Sequence, residues 1–229
     1  MQTIGSCRSS RRGGLRWLMA GLCLVVAAGH AAPLQQALDD YERGRLRQAQ
    51  AGFERLAREG VPIARYNLAV MHLRAEVPNA DRALARRLLT ESAESGFVTA
   101  QFMLAHALES GQFGRPDLRA AQLWYLRAAQ GGSTEAQLAM GTAHYLGRGE
   151  EKDPVAAARW FREAARAGDV GAQYLLASMY EQGDGVPRDL RLARYWYEQA
   201  ARQGDEAAPL KVRELDARLA DLATATTRP

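Results

Sequence analysis

The residues that could support catalysis are few and do not stand at catalytic spacings. A serine nucleophile of the S-x-x-K type needs a serine three residues before a lysine. The only lysines, Lys152 and Lys211, have Gly149 and Ala208 at that position. The sequence also lacks a G-x-S-x-G elbow, a phosphate-binding G-x-x-x-x-G-K-S/T loop and an H-E-x-x-H metal-binding helix. We therefore predict that the protein is not an enzyme and has no catalytic residue.

Three histidines after residue 32 are the candidates for metal binding: His72, His106 and His144. His144 stands 72 residues after His72, and Tyr180 stands 36 residues further on, a step that recurs throughout the chain. Such regularity is typical of packed positions in a structural repeat, and it separates the histidines instead of gathering them around one ion. We predict that His72 and His144 are packed in separate hairpins and that the protein has no metal site and no cofactor.

The first 32 residues have the layout of a secretory signal peptide. Arg11, Arg12 and Arg16 accompany an apolar run at 15–28 that ends in small residues. This run is short for a membrane span. We expect the segment 1–32 to be removed and the mature protein to be periplasmic or secreted, without stable insertion in the membrane. An uncleaved membrane anchor is the alternative.

The export route and the cleavage site each have two solutions in this segment. Cleavage is expected after Ala28 or after Ala31. The adjacent arginines resemble a twin-arginine signal, so the twin-arginine and general secretory routes both stay open. Cys23 follows Leu22 and not a small residue, which argues against a lipid anchor.

The charge of the chain is concentrated in the part that would be removed. The sequence has 30 Lys plus Arg against 26 Asp plus Glu, and four of the bases lie in the segment 1–32 together with no acid. The mature protein would therefore carry 26 of each, although the whole chain has a pI of about 9.3. A nearly neutral protein lacks the basic footprint that nucleic-acid binding needs, so we predict no nucleic-acid partner.

The rest of the chain repeats every 36 residues. Alanine, aspartate and glycine recur at this step in four copies, and tryptophan recurs in three, with leucine in the first. The positions are Ala64, Ala100, Ala136 and Ala172; Asp81, Asp117, Asp153 and Asp189; Gly96, Gly132, Gly168 and Gly204; and Leu88, Trp124, Trp160 and Trp196. A period of this length predicts a solenoid of stacked supersecondary units.

Within each copy the pattern predicts an antiparallel pair of helices. In the fourth copy Ala172, Leu176 and Tyr180 form an apolar stripe at four-residue steps, Gly183 supplies a turn, and Asp189 can cap the second helix. Small residues in each first helix would let the two helices approach closely: Ala69, Ala105, Gly141 and Ala177. We predict an all-α fold, an α/α solenoid, with the tryptophans in its core and not on a carbohydrate platform.

The predicted organisation adds a cap at each end of the array. The parts are the capping hairpin 33–63, four repeats at 64–99, 100–135, 136–171 and 172–207, the capping helix 208–223 and a tail at 224–229. Ala49, Phe53 and Leu56 are expected to be buried in the capping hairpin. Leu215, Leu219 and Leu222 are expected to face inward on the capping helix.

These residues resemble the Sel-one-like repeat (SLR) family, a relative of the tetratricopeptide repeats. The matching motifs are the A-x-x-x-L-G/A-x-x-Y start, the G-x-G turn, the D-x-x-x-A-x-x-W helix and the A-A-x-x-G end, over residues 64–207. The first copy departs from them, with residues 74–78 in place of the G-x-G turn and Leu88 in place of tryptophan. The resemblance implies α/α hairpins in a right-handed superhelix and a role in bringing proteins together. A cysteine-rich secreted subgroup is associated with β-lactams, but both cysteines here precede residue 32.

The resemblance also implies a binding face, because first helices line the concave side of a tetratricopeptide superhelix. The predicted protein-binding residues on this face are His106, Glu109, Thr142, Tyr145, Ser178 and Glu181. The neighbouring Tyr66, Phe102 and Tyr174 suit packing as well as binding. The opposite face, with Arg127 and Arg162, is expected to play no part in binding.

The sequence thus favours a monomeric, non-enzymatic scaffold or adaptor of the bacterial cell envelope that binds a protein partner. An immunity-type inhibitor of a secreted toxic enzyme is the alternative of the same binding class. A cell-wall or β-lactam hydrolase is a third alternative, against which the missing catalytic motifs argue.

Export can be tested directly. A fusion of residues 1–40 to a reporter that is active only outside the cytoplasm is expected to be active, because these residues contain the whole predicted signal. Amino-terminal sequencing of the mature protein is expected to begin at Gly29 or Ala32. A full-length protein in the cytoplasm would contradict the prediction.

Overall fold

The computed structural model describes residues 29–149 and 151–226 of the chain. Every regular element in these ranges is an α-helix. In chain order the helices are α1 (Ala31–Glu42), α2 (Leu46–Arg58), α3 (Pro62–Leu73), α4 (Arg82–Glu94), α5 (Val98–Glu109), α6 (Leu118–Gln130), α7 (Thr134–Leu146), α8 (Pro154–Arg166), α9 (Val170–Gln182), α10 (Leu190–Arg202) and α11 (Ala208–Thr226). Each helix packs against its neighbours in the chain. The predicted α/α solenoid is confirmed.

The predicted signal peptide lies outside the described residues, except for its last four. Ala31, one of the two expected cleavage points, is the first residue of α1. None of the helices within 29–149 and 151–226 is both long and apolar enough to cross a bilayer.

The second helix of each repeat begins at the predicted aspartate. The Asp153 carboxylate accepts a hydrogen bond from the Ala156 amide at 2.9 Å, and Asp81, Asp117 and Asp189 cap their helices in the same way. Each of these caps satisfies one or two amides that the first turn of a helix leaves without a partner. The 36-residue step of aspartate therefore sets where the second helices start.

The two helices of a hairpin approach each other at the predicted small residue. Gly141 in α7 lies against Phe161 in α8 so closely that a Cβ atom at position 141 would be 2.5 Å from the ring. Alanine occupies the corresponding positions in the other repeats, and Ala69, Ala105 and Ala177 are fully buried. A larger residue at these positions would force the helices apart.

The tryptophans are not in the centre of the core, which corrects the sequence prediction. Trp124, Trp160 and Trp196 are half-buried at the edges of the apolar clusters. The next residue along each second helix is buried: Phe161 and Tyr197 are 1% exposed and Tyr125 is 6% exposed. One residue is a rotation of about 100° on a helix, so the tryptophan lies beside the inward stripe while its neighbour points into the hairpin.

The two ends of the array are capped differently. The front hairpin of α1 and α2 buries Ala49, Phe53 and Leu56 completely, as predicted. At the other end Leu215 is buried in contact with the core, but Leu222 is 55% exposed, so its predicted inward position is wrong. Helix α11 also continues to residue 226, and its sequence has no glycine or proline between Pro209 in its first turn and Pro229.

The turn of the first repeat has a left-handed residue where other repeats have glycine. Ala75 has φ of 54°, and the residues at the same repeat position, Gly111 and Gly183, have φ of 71° and 79°. A Cβ atom makes this left-handed conformation unfavourable by about 1 to 2 kcal/mol. The missing G-x-G motif therefore leaves the turn in place but under backbone strain.

Ala75→Gly is expected to stabilise the protein by about 0.5 to 1 kcal/mol, because the relieved strain exceeds the extra entropy of glycine in the unfolded chain. Guanidinium denaturation would measure the change in the free energy of unfolding. The matched control, Gly183→Ala, places the same strain in the fourth repeat and is expected to destabilise it. Loss of stability in Ala75→Gly would show that residue 75 does not adopt the left-handed conformation.

Candidate partner-binding face

A pocket of about 420 Å³ opens between the second and third repeats. We call it the central pocket. Three helices and two turns line it. The lining residues include Phe102, His106 and Glu109 of α5; Leu118, Gln122 and Tyr125 of α6; Leu138, Ala139 and Thr142 of α7; Arg148 in the turn after α7; and Asp169 in the turn after α8. Its walls are mostly apolar, with a few polar groups, which is typical of binding sites. Three of the six predicted residues, His106, Glu109 and Thr142, therefore lie around one cavity.

Glu109, the last residue of α5, is held in position by Tyr125 of the second helix of its hairpin. The Tyr125 hydroxyl donates to the Glu109 carboxylate at 2.7 Å, and an Arg148 guanidinium nitrogen lies 3.8 Å from the other carboxylate oxygen. Burial, and then the Glu109 carboxylate, raise the pKa of Tyr125 far above its ordinary value, so the phenol stays protonated as a donor. The carboxylate is held in place but is one-third exposed to the pocket.

The two other predicted residues of this pocket are available to different degrees. His106 is exposed at the mouth, one helical turn before Glu109. The Thr142 hydroxyl donates to the Leu138 carbonyl at 2.9 Å within α7, so it presents its methyl group and an acceptor oxygen. The pocket thus combines a histidine, a carboxylate and a threonine on adjacent first helices.

Tyr145 and Ser178 lie further along the same face, in the third and fourth repeats. The Tyr145 ring packs at 6.4 Å from Phe161, and burial together with a hydrogen bond to Asp184 raises the Tyr145 pKa. The Ser178 hydroxyl accepts a hydrogen bond from Gln182 at 3.0 Å. Neither residue lines the central pocket.

Glu181, the last predicted residue, is covered by the capping helix. Its carboxylate accepts from Arg218 at 2.6 Å and from the Tyr197 hydroxyl at 3.2 Å, and Lys211 lies 3.7 Å away. Only 13% of the Glu181 side chain is exposed. The face that α5 and α7 leave open is therefore closed at the end of the array by α11.

The histidines are separated, as the repeat spacing predicted. His72 is 7% exposed, and its Nδ1 accepts from the Asp81 amide at 3.1 Å. This hydrogen bond links the end of α3 to the start of α4. His144 is half-buried, beside Trp160 on the second-helix side. In the part of the chain that the structure describes, no group of three histidine, cysteine or acidic side chains is arranged to hold a metal ion.

Sequence reasoning missed the second-helix side of the pocket, above all Tyr125. A signal was present: Glu109 and Tyr125 are sixteen residues apart, and Glu181 and Tyr197 repeat the same pair two copies later. The corresponding pair in the third copy is Tyr145 and Phe161, which form a ring contact instead of a hydrogen bond. Paired changes of this kind indicate contact between the two helices of a hairpin.

The opposite face contains one residue that is less accessible than expected. Arg127 is exposed and lies 4.5 Å above the Trp124 ring. Arg162, in contrast, is half-buried and donates to the Tyr180 hydroxyl of α9 at 3.0 Å. Changing Arg162 would therefore disturb the packing between the third and fourth repeats.

The helix order and the stacking of the hairpins define an α-solenoid repeat protein. The Sel1 repeat family model matches residues 62–97, 98–133, 134–169 and 170–205. The chain belongs to the Sel1 repeat family. Each matched repeat begins two residues before the alanine used above to count the copies, at the start of a first helix. Sel1 repeats are generally scaffolds for protein–protein interaction.

Solved structures of similar proteins have the same fold. A Sel1 repeat protein from Oxalobacter formigenes is 32% identical over 73% of this chain, with a TM-score of 0.69. A protective antigen present in uropathogenic Escherichia coli strains, which displays an SLR fold, is 29% identical over 79% of the chain, with a TM-score of 0.74. The chain covers 49% and 40% of these two proteins respectively. No curated protein matches it.

Proposed function

We propose that the protein is a non-enzymatic adaptor of the cell envelope, which binds a segment of another protein along its first-helix face. The central pocket is the observation that carries this proposal. It is formed by two successive repeats, is mostly apolar, and has a carboxylate that is held in position before any partner arrives. A preorganised polar group in an apolar recess is what a protein interface needs at its centre.

Other parts of the proposal follow from the rest of the chain. Export to the periplasm or the medium is inferred from the segment 1–32, and we propose that the mature protein acts as a monomer. The array needs no second copy to complete its ends, since α1 and α2 cover one end and α11 covers the other. An immunity-type inhibitor would use the same face, with a secreted toxic enzyme as its partner.

Partner capture can be tested with a tagged protein expressed in its own cells. We expect His106→Ala, Glu109→Gln and Thr142→Ala together to reduce capture of the partner at least about tenfold, because an interface depends on a few central residues. The melting temperature is expected to change little, since Glu109→Gln preserves shape and the other two residues lie at the surface of the pocket. Quantitative mass spectrometry of captured proteins would measure the effect.

The matched control changes two arginines of the opposite face, Arg127→Ala and Arg159→Ala, and should leave capture intact. Both side chains are exposed on second helices, and Arg159 takes the place of Arg162, which supports packing. If the pocket variant retains the partner and the control variant loses it, the proposed binding face is wrong.

A further inference from the structure

The repeat symmetry provides an internal comparison for the central pocket. Glu109 and Glu181 occupy the same position two repeats apart, and each accepts a hydrogen bond from the tyrosine of its own hairpin. At Glu181 two cations complete the site, Arg218 at 2.6 Å and Lys211 at 3.7 Å. At Glu109 the only cation within ion-pair distance, in the described part of the chain, is Arg148 at 3.8 Å.

Helix α11 shows where these cations come from. Ala208 stands 36 residues after Ala172 and both are fully buried, so α11 takes the place of the first helix of a fifth repeat. Helix α11 is therefore to α9 what α7 is to α5. Lys211 then corresponds to Ala139, which lines the central pocket. Where the end of the array has a lysine side chain, its middle has a methyl group and an open cavity.

We propose that the central pocket binds a lysine or arginine side chain of the partner polypeptide, in the place that Lys211 fills beside Glu181. This inference rests on the proposed function and names the chemistry that the pocket recognises. Lys211 also pairs with Glu214 at 3.2 Å, and the position equivalent to Glu214 is Thr142, another residue of the pocket. The residues around Lys211 at the end of the array and the residues that line the central pocket therefore occupy equivalent repeat positions.

The composition of the cavity fits such an occupant. Glu109, Glu135 and Asp169 line it, against Arg148 as the one arginine among its lining residues. Arg148 lies on a turn with 59% of its side chain exposed, and at 3.8 Å it is a loose partner that a buried cation can displace or join. Phe102 and Leu138 supply apolar walls for the aliphatic part of a lysine or arginine.

The first test introduces a lysine into the central pocket at the position that corresponds to Lys211. Ala139→Lys is expected to raise the melting temperature by roughly 2 to 4 °C, since the new ammonium group would meet Glu109 as Lys211 meets Glu181. Part of any gain would come from Glu135, which lies four residues before position 139 on α7. In a Glu109→Gln background the gain is expected to fall by about half or more. An equal gain in both backgrounds would overturn the proposal.

The second test uses a defined probe. Acetyl-arginine methylamide is expected to shift the backbone NMR signals of α5 and α7 in a saturable way, and the neutral acetyl-citrulline methylamide should bind about tenfold more weakly, as for the loss of one charged hydrogen bond. Glu109→Gln should remove this difference, and Ala139→Lys should block binding by filling the pocket. The control variant Glu163→Gln, an exposed glutamate of α8, should bind as the unchanged protein does.

The outcomes separate this inference from the proposed function. Equal binding of the arginine and citrulline probes, or no saturable shift with either, overturns the cation site even if the pocket variants still lose the partner. Charge-selective binding that depends on Glu109 supports the cation site. If partner capture is then unaffected by the pocket variants, the proposed function is wrong and the site serves another cationic ligand.

Discussion

The close approach of two helices within each hairpin is the contact on which the rest of the structure depends. A 36-residue hairpin is too small to enclose its own apolar surface, so it must bring its helices together tightly and then stack on its neighbours. Gly141 against Phe161 shows how little room remains at that contact. Tyr125 and Tyr197 occupy the position of Phe161 in their own repeats, and with the helices at this distance each hydroxyl reaches the carboxylate one turn past the small contact residue, Glu109 and Glu181 respectively.

This arrangement keeps the helix positions constant while the residues at the ends of the first helices vary. Aspartate caps and small contact residues recur in every copy and fix the positions of the helices. The residue at the end of each first helix is then free to differ, and it is Glu109, Tyr145 and Glu181 in three successive repeats. The capping helix uses the last of these for its own attachment. In the middle of the array the equivalent residue, Glu109, lines the open central pocket.

The sequence predicted the frame better than the site because its signals have different origins. Capping aspartates and small contact residues act locally and recur, so their spacing revealed the helices. The exact direction of a side chain is less regular: the conspicuous Trp160 is half-buried, whereas Phe161 beside it fills the hairpin. Glu109 and Glu181 look equivalent in the sequence, yet only Glu181 is covered, because that depends on how α11 packs. The central pocket needed the position of three helices at once, which no single spacing contains.

The most direct measurement of this account is the effect of a single methyl group at the hairpin contact. Alanine is normally favoured over glycine within a helix by about 1 kcal/mol. Gly141→Ala is nevertheless expected to lower the free energy of unfolding, by roughly 1 to 3 kcal/mol, because its Cβ would overlap the Phe161 ring. In a Phe161→Leu background the same substitution should cost clearly less or stabilise. If Gly141→Ala stabilises the otherwise unchanged protein, the close contact that organises the repeat does not exist.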